Sequence, residues 1–137
     1  MSLFNVFDVA GTGMSAQSVR LNLVASNIAN ADSASGSPEN VYRSRQPVFE
    51  TLMNQYDPKG QSRGVQVTEI IEKEGAPKQR YAPDHPLADE TGYIYLPNVN
   101  AVEEMANMIS ASRAYQSNIE VVNTSKQLLL RTLRLGQ

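Results

Sequence analysis

The side chains best suited to chemistry in this sequence lie close together between residues 84 and 90. Four of them could bind a metal ion or exchange protons. They are Asp84, His85, Asp89 and Glu90. His85 is the only histidine of the chain, and Pro83 and Pro86 beside it are typical of a stiff turn. A lone histidine near carboxylates is a weak indication of a site, so we predict a structural turn with no catalytic, metal or cofactor-binding residue.

The composition argues against several other functions. The chain has 137 residues and a formal charge of -2, whereas nucleic-acid-binding proteins carry a strongly basic face. It has no cysteine, and no phosphate loop, nucleophile elbow or zinc signature occurs. No run approaches the roughly 18–20 apolar residues of a membrane span, and no cleavable leader pattern is present. We therefore expect no enzyme activity, no small-molecule substrate, no nucleic-acid partner and no membrane insertion.

Apolar residues recur in alternating steps of four and three at both ends of the chain. Eight of nine positions are apolar in the N-terminal series, which is Leu3, Phe7, Ala10, Met14, Gln17, Leu21, Val24, Ile28 and Ala31. Eight of ten are apolar or aromatic in the C-terminal series, which is Ala101, Met105, Met108, Ser112, Tyr115, Ile119, Val122, Lys126, Leu129 and Leu133. Such spacing lays one stripe along a slightly underwound helix, which another helix must cover. We predict a mainly α fold whose long terminal helices pair as a coiled coil.

The N-terminal helical segment is expected over residues 1–31. Gly11 and Gly13 lie inside it, and each glycine costs about 1 kcal/mol relative to alanine. The sequence therefore predicts a bend or break at these glycines. Ser15 is the expected N-cap of a longer second piece.

The C-terminal helical segment is expected over residues 98–137, with the helix itself from Ala101 to Leu135. Asn100 can cap its first turn, and Glu103 could reach back in a variant of the capping box. Gly136 is the expected terminator. At about 1.5 Å per residue this helix is roughly 50 Å long, which is unusual in a domain of this size.

Between the helices, residues 32–97 form a segment of different character. Residues 32–40 are a polar loop rich in Ser, Asn and Asp. Short extended stretches follow at 41–49, 64–71 and 92–96, separated by proline and glycine. We predict a small β-rich or irregular insert.

Small and amide residues are common on both helices, whereas only seven charged residues occur from Ala101 to Gln137. They could form a solvated face, but such a face is normally richer in Lys and Glu. The alternative is that neighbours bury the helices on several sides, with Asn27, Asn30, Asn118 and Asn123 setting the register. The predicted subunit interface comprises Leu21, Val24, Asn27, Ile28, Asn30, Met105, Met108, Tyr115, Asn118, Ile119, Val122, Asn123, Leu129 and Leu133.

Both ends of the chain resemble the bacterial flagellar rod and hook proteins. Residues 23–31, with Asn-Ile-Ala-Asn at 27–30, are similar to the N-terminal signature of that family. The stretch from Asn98 to Met105, continuing through Ser112-Arg113-Ala114-Tyr115-Gln116 to the last residues, is similar to its C-terminal signature.

The segment before the last helix narrows this resemblance. Asp84-His85-Pro86-Leu87-Ala88-Asp89, Gly92-Tyr93 and Pro97-Asn98-Val99-Asn100 are similar to the C-type basal-body rod proteins, which are short subunits of the proximal rod. Most of the wider family has a Thr-x-Gly-Tyr turn soon after Asn-Ile-Ala-Asn. Here residues 32–40 intervene, and the C-type proteins are similar in carrying a longer link.

The resemblance implies a structural subunit of the flagellar drive shaft, polymerising through its terminal helices to transmit torque for motility. Its partners would be other copies of itself, other rod proteins and the flagellar type III export apparatus. It would lie in the rod of the basal body, in the periplasmic space, after export without a cleaved signal peptide. No cofactor is expected.

Two other functions stay open on the residues alone. The first is a small soluble enzyme that uses the cluster at residues 84–90 on a helical scaffold; it would bind stoichiometric metal and depend on His85. The second is a free-standing coiled-coil adaptor, which would form a closed dimer or tetramer.

Overall fold

The structure, a computed structural model, describes residues 3–53 and 62–135. Its elements in chain order are α1 (Leu3–Ala29), a short 3-10 helix (Pro38–Asn40), β1 (Arg45–Met53), β2 (Ser62–Glu72), β3 (Lys78–Tyr81), β4 (Tyr93–Leu96) and α2 (Ala101–Leu135). α1 packs along α2, and the strands form two separate antiparallel pairs. The predicted combination of two long terminal helices and a small β-rich insert is thereby confirmed.

α1 is one continuous helix, so the predicted break into two pieces at Gly11 and Gly13 and the N-cap at Ser15 are wrong. Gly13 lies against α2, where a Cβ atom added to it would be 3.0 Å from the Asn118 Nδ2 atom. Helices in proteins owe most of their stability to tertiary packing. The contacts of α1 with α2 and the β1–β2 hairpin therefore outweigh the low helix propensity of the two glycines.

α2 begins and ends at the predicted residues. The Asn100 Oδ1 atom accepts hydrogen bonds from the backbone N–H groups of Val102 at 3.1 Å and Glu103 at 3.5 Å, which confirms the N-cap. Glu103 pairs instead with Lys73, whose Nζ atom is 3.8 Å from its Oε1 atom, so the reciprocal half of the capping box is wrong. The predicted terminator Gly136 lies outside the described residues.

β1 and β2 form a hairpin that pairs Arg45 with Glu72 at one end and Met53 with Ser62 at the other. β3 and β4 form a second, shorter ladder. The extended stretches predicted at 41–49, 64–71 and 92–96 overlap β1, β2 and β4. β3 was not predicted, because its four residues are all exposed and carry no alternating apolar pattern.

The core lies at one end of the helix pair, where α1 ends, α2 begins and the insert packs on both. Most of the buried residues gather there, namely Val24, Asn27, Val41, Ser44, Ile94, Pro97, Val99, Glu104 and Ala111. Toward the other end the buried residues in the described part of the chain are Ala10, Ala16, Gly64 and Ser125. The distal halves of both helices therefore contain few fully buried residues within the subunit.

The exposed surface is large for the size of the chain. It measures 9679 Å². A compact monomer of 15.1 kDa has about 7,100 Å². Neither described helix is long and apolar enough to cross a membrane.

Candidate assembly surface

The two helices run antiparallel in a register that two pairs of residues define. Asn27 hydrogen-bonds Glu104 near one end, and Gly13 lies against Asn118 farther along. The two pairs are fourteen residues apart on both helices, from Gly13 to Asn27 on α1 and from Glu104 to Asn118 on α2, which is two heptads. Corresponding positions of the two seven-residue repeats therefore remain opposite each other over this length.

Asn27 connects three elements inside one subunit and is fully buried. Its Nδ2 atom donates to the Arg45 carbonyl oxygen at 3.0 Å and to the Glu104 Oε2 atom at 3.1 Å. Its Oδ1 atom accepts from the Arg45 N–H at 2.9 Å and from the Tyr42 hydroxyl at 2.8 Å. The amide thus holds the end of α1, the start of β1 and the first turn of α2 together.

Glu104 is the buried carboxylate of this junction, with 5 % of its surface exposed. Its Oε1 atom accepts a hydrogen bond from the Ser44 hydroxyl at 3.3 Å, in addition to the Asn27 bond. Arg20 lies farther along α1 and donates from Nη2 to the Asn107 Oδ1 atom at 3.0 Å. An open cavity of about 430 Å³ adjoins these groups, lined by Arg20, Val24, Arg45, Gln46, Pro47, Phe49, Glu103, Glu104 and Asn107.

Half of the predicted C-terminal stripe faces inward. Met108, Tyr115, Val122 and Leu129 follow one another at intervals of seven, and all four are half-buried. On α1, Val24 is buried, and Leu21 and Ile28 are half-buried. The subunit therefore already covers part of the residues that were predicted to contact other subunits.

The other half of the stripe faces away from α1. Met105, Ile119 and Leu133 are exposed, as is Asn123. Further exposed apolar side chains extend this surface, which we term the outer face of α2: Val102, Met105, Ile109, Ile119, Leu130 and Leu133. A second series in steps of three and four begins at Val102, but only six of its ten positions up to Leu133 are apolar, so it is weaker than the series from Ala101.

The remaining predicted amides bond within their own helices. Asn30 donates to the Ser26 carbonyl oxygen at 2.9 Å, and Asn118 donates to that of Ala114 at 3.0 Å. Both side chains are half-buried. Neither bond crosses from one helix to the other.

The β1–β2 hairpin carries a further apolar surface. Thr12, Ala16 and Val19 of α1 lie beside one side of it, near Leu52 and Val65. The Thr12 Oγ1 atom accepts from the Val65 N–H at 3.2 Å. Large side chains that are exposed on the hairpin are Val48, Phe49, Met53, Ile70 and Ile71.

The cluster at residues 84–90 forms turns, as predicted. The His85 Nδ1 atom accepts from the Leu87 N–H at 3.1 Å. Asp89 accepts hydrogen bonds from the Thr91 hydroxyl and N–H, the Tyr93 N–H and the Tyr95 hydroxyl. These bonds, the one from the Thr91 hydroxyl foremost, lower the pKa of Asp89 to about 2. Among residues 3–53 and 62–135, no group of three His, Cys, Asp or Glu side chains could hold a metal ion.

Models of known protein families match the two parts of the chain that contain the long helices. A family model described as flagella basal body rod protein matches residues 7–36, within α1 and the loop after it. A second, described as flagellar basal body rod FlgEFG protein C-terminal, matches residues 90–135. These matches confirm both of the resemblances that the sequence indicated.

Relatives match over the whole length. The flagellar basal-body rod protein FlgC of Salmonella typhimurium is 50% identical over 137 residues, covering 100% of both chains. The protein of the same name from Yersinia enterocolitica is also 50% identical over both complete chains. That from Aquifex aeolicus is 42% identical over 96% of each chain.

Proposed function

The chain belongs to the flagellar basal-body rod protein family, and we propose that it is built into the rod through the apolar faces of α1 and α2. It is a structural subunit of the flagellum and not an enzyme.

The exposed surface is the observation that carries this proposal. The chain exposes 9679 Å², which exceeds the expectation for a compact monomer by roughly 2,600 Å². Permanent interfaces bury about 2,000–5,000 Å² in total. Both helices carry exposed apolar residues, Val9 on α1 and Val102, Met105 and Leu133 among those on α2, and neighbouring subunits would cover them.

We further propose that α1 and α2 pair as a coiled coil within the subunit. In the register set by Gly13 and Asn118, Leu21 of α1 lies opposite residue 110 of α2, which is two residues from Met108. The same offset brings together the other members of two seven-residue series, all of them half-buried. The pairs are Phe7 with Val122, Met14 with Tyr115, Leu21 with Met108 and Ile28 with Ala101. Knobs-into-holes packing requires two apolar series that remain opposite each other, and here they do so over three heptads.

The predicted interface residues then divide into two sets with different roles. Residues that α1 and α2 cover between them, such as Val24, Asn27 and Met108, keep the subunit's own helices together. Residues on the exposed side, Met105, Ile119, Asn123 and Leu133, contact neighbouring subunits. Burying a large aliphatic side chain contributes about 1.5–3 kcal/mol, so several such contacts stabilise an assembly strongly.

The same contact repeated without ring closure yields a helical filament. In a rod of this kind, torque is carried by many equivalent packed contacts. The partners we propose are other copies of this chain and other rod proteins.

The route to the rod is the second part of the proposal. Family resemblance points to export in an unfolded state through the flagellar type III apparatus, without a cleaved signal peptide, into the periplasmic part of the basal body. The small core is compatible with such a route. Seven hydrophobic residues are buried in the described part of the chain, and three of them are alanines. A core this small is easily unfolded before transport.

Ile119→Asp tests the role of the outer residues. Ile119 is 37% exposed, so a carboxylate there can reach solvent in the single subunit, whereas at an interface it would be buried without a partner. We expect loss of rod assembly and motility with normal export of the subunit. Ser117→Asp, at an exposed polar position of the same helix, is the matched control and should leave motility unchanged. Normal motility of the Ile119→Asp strain would refute the assignment.

A further inference from the structure

The two ends of α2 carry the most exposed large apolar side chains in the described part of the chain. Val102, in the first turn, is 75% exposed, and Leu133, near the last turn, is 68% exposed. Met105 and Ile109 extend the apolar surface at the start of the helix. We term Val102, Met105 and Ile109 the start patch.

The other end of α2 extends past the described part of α1. α1 begins at Leu3, ten residues before Gly13, and ten residues beyond Asn118 is Leu128. The residues of α2 from Leu128 onward, which we term the overhang, therefore continue for about 10 Å beyond Leu3.

The overhang is apolar on several sides. Leu128, Leu129 and Leu130 are consecutive, so their side chains point in directions about 100° apart. Leu128, Leu130 and Leu133 are all substantially exposed. One helix running alongside could not cover these leucines.

The two ends of α2 also have opposite charge. Lys126, Arg131 and Arg134 are exposed near or in the overhang, and no acidic residue occurs after Glu120. Glu103 lies beside the start patch and is about half exposed. Its 3.8 Å pair with Lys73 is a surface ion pair, and such a pair contributes little and leaves Glu103 available.

We propose that the overhang of one copy docks on the start patch of the next copy, so that copies join head to tail through the two ends of α2. The proposal rests on the assembly described above and names one of its contacts. One repeated contact would cover Val102 and Leu133 together, and place Arg131 near Glu103. Because the two surfaces differ, the contact does not close on itself and propagates along a filament.

The start patch suits a helical partner better than the β1–β2 hairpin does. Val102, Met105 and Ile109 are spaced by three and four, which forms the ridges and grooves that receive another helix. The hairpin also combines apolar and acidic residues, with Ile70 and Ile71 between Glu69 and Glu72. It is therefore the competing surface that the experiment must distinguish.

Disulfide crosslinking in isolated basal bodies tests the contact, because the chain has no cysteine of its own. Met105→Cys and Leu133→Cys are combined in one chain. The two sites are 28 residues apart on one helix, or about 40 Å, which is too far for a bond within a subunit. Mild oxidation should give a ladder of dimers, trimers and larger multimers of this chain. Each single variant should give no ladder.

Several outcomes would overturn the proposal. These are no ladder in rods that contain the double variant, crosslinking of Leu133→Cys to a different rod protein only, or a ladder with Ile70→Cys in place of Met105→Cys. If the wild-type chain were missing from purified basal bodies, the proposed function itself would fail. In all the other outcomes that function stands.

If the double cysteine variant does not assemble, charge reversal tests the same head-to-tail contact. Arg131→Glu should abolish swimming, and adding Glu103→Arg to it should restore swimming. Arg113→Glu, at an exposed position in the middle of α2, should have no effect and is the matched control. Absence of rescue by Glu103→Arg would overturn the head-to-tail contact.

Discussion

At the scale of single residues, Asn27 shows how a sequence pattern can identify an important side chain and misplace its partners. Its amide suggested a register-setting bond between subunits. In the structure all four of its hydrogen bonds lie within one chain, to Tyr42, Arg45 and Glu104. These partners are 15 to 77 residues away in the sequence, so no local pattern could reveal them.

We predict that Asn27→Ala lowers the free energy of unfolding of the purified chain by roughly 2–4 kcal/mol, because it leaves a buried carboxylate and backbone groups without partners. The measurement is urea denaturation followed by far-UV circular dichroism. Asn30→Ala is the control, since Asn30 bonds only the Ser26 carbonyl of its own helix and is half-buried. Its effect should stay below about 1 kcal/mol. Equal losses for the two variants would contradict the role assigned to Asn27.

At the scale of elements, the features that could be predicted are those set by local chemistry. The bounds of α2 follow from the Asn100 cap and the apolar series after it, and both were found as predicted. β3 could not be predicted, because its residues become a strand only by pairing with β4. The continuity of α1 through Gly11 and Gly13 was also missed, because it depends on contacts with α2 and the hairpin.

For the candidate surface, too, the sequence could indicate the helices but not which of their faces is covered within the subunit. The seven-residue repeats place the proposed surface on α1 and α2. Which half of the C-terminal stripe faces α1 depends on the antiparallel register, and that register follows from contacts such as Asn27 with Glu104. The sequence prediction therefore placed Met108, which is half-buried, and Met105, which is exposed, in one and the same stripe.

Gly11 and Gly13 provide a matched test of the helix pair. Gly11 has no atom within 4 Å of an added Cβ, so Gly11→Ala should stabilise α1 by about 1 kcal/mol and raise the helical signal of the purified chain. Gly13 faces Asn118 closely, so Gly13→Leu should push the helices apart and impair motility. Normal motility with Gly13→Leu would argue against close packing at this level.

At the scale of the whole molecule, the chain combines a small core with a large surface. The core gathers where α1 ends and α2 begins, and it contains few large hydrophobic residues. The distal halves of the helices contain few fully buried residues, although α2 alone is 35 residues long. A folded protein is stable by only a small margin, so segments with little buried surface open first. We therefore expect the distal halves to become ordered only when neighbouring subunits cover them.

Amide hydrogen exchange of the same chain, dilute and in isolated basal bodies, tests this most directly. In the dilute chain, residues 121–135 of α2 and the first turns of α1 should exchange rapidly, while residues 101–111 and 20–28 should be protected. In basal bodies all four segments should exchange slowly. Slow exchange along the whole of both helices in the dilute chain would contradict the account, because the subunit would then need no neighbours to hold its helices.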